Sequence, residues 1–131
     1  MIAREYGVIS RNYGIGGTRI ATQTIPSEYP RHDLDFVRRV DEMDLDSDVI
    51  IVFGGTNDFS QGDAPLGSFT DRTCYSFYGT MHVLCNKLIN RYPESTIIFI
   101  TPLHRFGDEQ IKSENGGKVL RTLKQYVDAI R

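Results

Sequence analysis

An α/β sandwich built on a parallel sheet is the fold this sequence predicts, and three observations point to it. Val49-Ile50-Ile51-Val52-Phe53 and Thr96-Ile97-Ile98-Phe99-Ile100-Thr101 are uninterrupted, largely β-branched apolar runs, which read as strands buried on both faces, the kind found in parallel sheets. Segments with apolar residues at helical spacing alternate with these runs. The first run closes on Gly54-Gly55 and presents Thr56, Asn57 and Asp58 just past its carboxyl end, where open α/β sheets bind ligands.

In chain order, Val8-Ile9-Ser10-Arg11-Asn12 is a short strand candidate followed by the glycine-rich turn Tyr13-Gly14-Ile15-Gly16-Gly17-Thr18-Arg19. A polar stretch with Pro26 and Pro30 ends at Asp33, a candidate cap, and Leu34, Val37, Val40 and Met43 recur at helical spacing, predicting a helix over 33–44. Residues 59–73 carry two glycines and a proline without a sustained period and read as a long loop at the ligand end of the sheet. Cys74, Phe77, Tyr78, Met81, Leu84, Cys85, Leu88 and Ile89 form a helical stripe over 74–92 that Pro93 stops. After the second apolar run and Pro102, Val119, Leu120, Leu123, Tyr126, Val127 and Ile130 predict an amphipathic helix to the last residue.

A chain of 131 residues fits one domain able to bury a core without disulfides or metal. Its two cysteines, read on one helix and therefore about 16 Å apart, are expected to be buried thiols rather than a bridge. Fifteen basic and seventeen acidic residues are interspersed, with no basic stripe for a nucleic-acid backbone. No apolar run approaches a membrane span and the N-terminus lacks a signal-peptide plan, so a cytoplasmic protein with no membrane partner is expected.

Asn57 and Asp58 could simply end a strand and open a turn, as these residue types often do. Gly14, Gly16 and Gly17 could form a tight turn or cradle a phosphate. A dinucleotide fingerprint opening at Gly14 would need glycine or alanine where Arg19 stands, and no acid follows at a strand end at the required distance. His82 reads as a partly exposed helix residue. His104, just past a strand end, is the histidine placed to lean toward a pocket, and Ser60 and Ser68 read as solvated loop serines.

Asn12-Tyr13-Gly14-Ile15-Gly16-Gly17, followed about forty residues on by Gly55-Thr56-Asn57-Asp58 at a strand end, resembles two of the four sequence blocks of the SGNH (GDSL-type) hydrolases. The Thr101-Pro102 strand end and Phe77-Tyr78-Gly79 are similar to bacterial lipase/acylhydrolase members, and the resemblance covers nearly the whole chain. It implies a flavodoxin-like three-layer α/β/α fold and cofactor-free hydrolysis of a small acyl ester by a serine–histidine–aspartate mechanism. Matched to the family's motifs, Gly17 and Asn57 are the implied oxyanion-hole donors, and Gly16, Thr56 and Asp58 the candidate substrate-binding residues. Asp58 is also expected to bond nearby loop backbone. A glycine N–H can approach a reacting oxygen closely, and a fixed amide donor is worth about 3–4 kcal/mol in a transition state.

The family's Gly-Asp-Ser block would lie before Met1, and none of His32, His82 or His104 has an aspartate three residues earlier, as the family's Asp-x-x-His block requires. The expectation is therefore a truncated member that holds oxyanion donors without nucleophile or base and is inactive alone. A non-catalytic ligand-binding or scaffold module is the alternative. The absent first strand would leave a gap beside residues 49–54. This predicts that the 8–12 strand moves across to pair there, or that a homo-oligomer covers the edge.

Overall fold

Strands form where β-branching and burial coincide in the sequence. In the computed structural model, which describes residues 5–109, 112–114 and 119–131, β1 (Val49–Phe53) and β2 (Thr96–Ile100) make a parallel pair with Ile50 opposite Ile97 and Val52 opposite Phe99. The crossover between them carries the longest helix. Because successive residues of a strand face opposite sides, Ile50 and Val52 enter the core while Val49, Ile51 and Phe53 leave it. Ile97 and Phe99 pack against that core from the neighbouring strand.

The α/β class and the parallel sheet are as expected, but the expectation of strands buried on both faces is corrected. Val49, Ile51, Phe53, Ile98 and Ile100 stay 40–61% exposed, because nothing among the described residues covers that side of the sheet. Two of the three expected layers are therefore described. Each buried branched side chain contributes about 1.5–3 kcal/mol, and the open face forgoes most of that.

The strand expected at 8–12 does not form, and residues 8–15 are irregular. Val8 and Ile9 are exposed, and the segment is tethered through side chains instead. The Arg11 guanidinium meets Asp44 at 2.9 Å and Asp46 at 2.8 Å, and the Tyr13 hydroxyl donates to Asp44 at 2.8 Å. Among the described residues β1 pairs with β2 alone, so the first segment has not moved across.

The helix expected at 33–44 is broken into a 3-10 turn (Pro30–Asp33), a single α turn, α1 (Phe36–Arg39), and a second 3-10 turn (Val40–Glu42). Asp35, not Asp33, is the cap, accepting from the Arg38 N–H, while Asp33 accepts from the Ser27 N–H. The stretch read as loop from 59 begins inside α2 (Thr56–Gln61), whose start is set by Gly55 at φ +100°, a conformation that favours glycine. Phe59 anchors α2, its ring lying edge-on to Tyr126.

α3 (Phe77–Arg91) begins at Ser76, whose hydroxyl accepts from the Gly79 N–H, and buries Phe77, Met81, Leu84 and Leu88 against the sheet. Cys74 therefore precedes the helix rather than sharing it with Cys85, and both thiols are free and half-buried instead of buried. The helix expected from 119 starts later, as α4 (Leu123–Ile130). Residues Val119–Arg121 form β4, antiparallel to β3 (Lys112–Glu114), and a reciprocal Thr122/Gln125 capping box fixes where α4 begins.

Candidate functional site

At the carboxyl end of β1 the chain turns through Gly54 and Gly55 into α2, and the glycine-rich loop 14–18 lies against that turn. Together they enclose an open cavity of about 320 Å³ lined by Gly14 to Thr18, by Phe53 to Asn57, and by Phe36 and Arg39 of α1. Gly16, Gly17, Thr56 and Asn57 thus share one cavity, though the two segments lie some forty positions apart.

Asn57 is held in place by its own amide. Its Nδ2 donates to the Thr18 carbonyl at 2.9 Å. A primary amide carries two hydrogens on that nitrogen, so the second remains for another acceptor. Gly17 has φ +87°, and its missing side chain matters twice: a Cβ there would stand 2.6 Å from His32 Nε2. The His32 ring occupies that space, tilted against the Tyr29 ring at 5.4 Å.

Asp58, next to Asn57, does not line the cavity. It is 3% exposed, and its carboxylate accepts the backbone N–H groups of Ile20 and Ala21, each at 2.9 Å. Burial pushes this carboxyl up to about 6, against the opposing pull of the Ala21 and Ile20 N–H bonds and, more weakly, of Arg19.

Arg39 grips the same loop from α1. Its guanidinium donates to the Tyr13 carbonyl and to Thr18 Oγ1, both at 2.9 Å, and lies 4.1 Å from the Phe36 ring centre. Burial lowers its pKa, partly offset by Asp35. Neither Arg39 nor His32 stood out in the sequence. A cation among Phe36, Val37 and Val40 was a signal for Arg39, since charges rarely sit on a buried face. For His32 there was none, because its contact is fifteen residues away.

His104, the histidine whose place past a strand end left it free to lean toward a pocket, is largely exposed, with Nδ1 3.3 Å from Asp108. His82 bonds the Phe69 carbonyl. Ser60 lies within α2, and Ser68 bonds Thr70 and Asp71, so neither lines the cavity. Among the described residues no three His, Cys, Asp or Glu side chains converge as a metal site, and no helix is long and apolar enough to cross a membrane.

A parallel-sheet α/β protein with a cavity at the carboxyl end of its first strand, walled by a glycine loop and by the start of the helix that carries Asn57, is the class this arrangement defines. Within that class, the chain belongs to the GDSL-like lipase/acylhydrolase family, whose model matches residues 1–115. The chain is 31% identical to a protein of known structure from Lactobacillus plantarum, with TM-score 0.71 over 98% of this chain and 58% of that one. A candidate GDSL-like lipase from Bacteroides uniformis matches at 26% identity and TM-score 0.68, over 97% of this chain and 53% of its own. Its counterpart from Bacteroides ovatus matches at 26% identity and TM-score 0.56, over 87% and 48%. The chain therefore spans about half the length of these structures. No curated protein matches it by sequence.

Proposed function

We propose that this chain is the charge-stabilising part of a hydrolase acting on small acyl esters, with Gly17 and Asn57 as its oxyanion donors and Gly16 and Thr56 as substrate contacts. The supporting observation is that both donors line one cavity and that the Thr18 carbonyl fixes the Asn57 amide. In the reaction a serine hydroxyl adds to the ester carbonyl carbon while a histidine takes its proton. The carbonyl π electrons move onto oxygen, and that oxyanion sits between the Gly17 N–H and the second Asn57 N–H. Collapse expels the alcohol, which takes that proton from the histidine. Water, giving a proton to the histidine in turn, then releases the acid and restores the serine by the same route. No serine or histidine is among the residues lining the cavity. Nucleophile and base are accordingly assigned to segments beyond those that build it.

The same lining supports a second reading, a module that binds a carboxylate or carbohydrate without turning it over. Hydrolysis of p-nitrophenyl acetate separates the two. It is measured for the 131-residue chain and for a chain extended at both ends with the family's Gly-Asp-Ser and Asp-x-x-His blocks. Turnover in the extended chain that falls about 100- to 1000-fold in kcat with Asn57→Ala supports the hydrolase. Turnover indifferent to Asn57→Ala overturns the oxyanion assignment, and stoichiometric ligand binding without turnover in either chain favours the module.

A further inference from the structure

The glycine-rich loop has almost no backbone pairing of its own. Between residues 8 and 25, backbone bonding among the described residues comes to one bond, from the Thr18 N–H to the Ile15 carbonyl at 3.3 Å. Side chains supply the rest, and the first turn of α2 supplies the central ones. Asn57 takes the Thr18 carbonyl, and Asp58 takes the N–H groups of Ile20 and Ala21. Two adjacent side chains thus fix the polar groups of a short run that begins one residue after Gly17.

Among the described residues no cation is hydrogen-bonded to the Asp58 carboxylate, whose partners are the Ile20 and Ala21 N–H groups. The charged group acting on it from the loop is Arg19, whose guanidinium is turned to the carbonyls of His32 (3.4 Å) and Gln61 (3.1 Å). From α4 the Tyr126 ring packs edge-on against Phe59, the residue after Asp58. Beyond α2, Asp63 accepts from Thr24 and Ile25, further along the loop. A carboxylate buried without a hydrogen-bonded cation is an expensive device for stability alone, since apolar packing would serve better. Its geometry, with one oxygen for each N–H, suits the placing of a backbone segment.

We propose that Asp58 is the positioning residue of this site: it clamps Ile20 and Ala21 onto α2 and thereby sets the spacing between Gly17 and Asn57. The carboxylate form makes the clamp, because protonation converts one accepting oxygen into a donor facing an N–H. This assignment rests on the reading of Gly17 and Asn57 as oxyanion donors.

The test is carried out by NMR on the 131-residue chain and needs no turnover. Backbone amide and side-chain amide resonances are followed from pH 4.5 to 8 in the wild type, Asp58→Asn and Asp63→Asn. In the wild type the Gly17 N–H and the Asn57 side-chain NH2 should titrate together, with a midpoint near that of the buried carboxyl. In Asp58→Asn, which is close in shape and keeps one acceptor, both should be displaced and stop titrating. Asp63→Asn should leave both titrations intact. Wild-type positions and pH course for both donors in Asp58→Asn overturn the proposal, as does an equal displacement by Asp63→Asn, which would mean only that the loop had loosened. The two readings fail separately. Donors that follow Asp58, in a protein whose ester hydrolysis ignores Asn57→Ala, leave the clamp standing and remove the oxyanion role. Hydrolysis that needs Asn57, with donors that ignore Asp58, does the reverse.

Discussion

The Asn57 side chain donates to the Thr18 carbonyl at 2.9 Å, tying the start of α2 to the residue that follows Gly17. Removing that bond with Asn57→Ala should lower the unfolding free energy by about 1 kcal/mol, the net worth of a typical hydrogen bond. Asn57→Asp should cost more, because it sets a carboxylate against a carbonyl oxygen. Urea denaturation of the three proteins checks both the loss and its order.

Gly17 meets two constraints at once, a positive φ and the His32 ring. Gly17→Ala is expected to destabilise by about 1–3 kcal/mol through backbone strain alone, with a steric cost added. His32→Ala should relieve the steric part and leave the strain. A double-mutant cycle in which the two substitutions add without coupling would show that the ring does not press on position 17.

Ile50 and Ile51 are neighbours with opposite fates, 5% and 61% exposed. Ile50→Ala should cost about 2–5 kcal/mol, as large-to-small core changes do. Ile51→Ala should cost below about 1 kcal/mol, as surface changes do. Equal costs, measured by thermal or chemical unfolding, would mean that the open face of the sheet is covered in solution.

β1 and β2 were legible because β-branching, continuity and flanking turn residues agree there, and the long helix because its apolar stripe runs from Phe77 to Leu88. Gly17 and Asn57 could be paired on paper through the family's motifs, and both line one cavity. One-sided burial of β1 could not be read, since a continuous apolar run looks the same whether one face or both are covered. Residues 8–12 have a strand's composition but no ladder beside them among the described residues, and Arg11 with its two aspartates decided their path. The partners of Asp58 lie 37 and 38 positions away, and no periodicity in a sequence reports such a bond.

The buried Asp58 also makes stability depend on pH. Its carboxyl is raised to about 6 in the fold, above the unfolded value, so the native state holds the proton more tightly. The stability this group lends is complete below about pH 4 and is lost as pH climbs through about 6, a fall of about 3 kcal/mol. Unfolding free energies of the wild type relative to Asp58→Asn should therefore decline between pH 4.5 and 7. A difference that stays flat over that interval removes the prediction.

The backbone from Tyr13 to Ser27 is fastened by Asp33, Arg39, Asn57, Asp58 and Asp63, residues spread over positions 33 to 63. A strand inherits its location from its neighbours, but this segment inherits its location from the chemical identity of distant positions. Exchanging one of those fasteners can therefore reshape the mouth of the cavity while the sheet beneath stays as it was. The contour of the opening and the solidity of the floor beneath it thus answer to different positions in the chain.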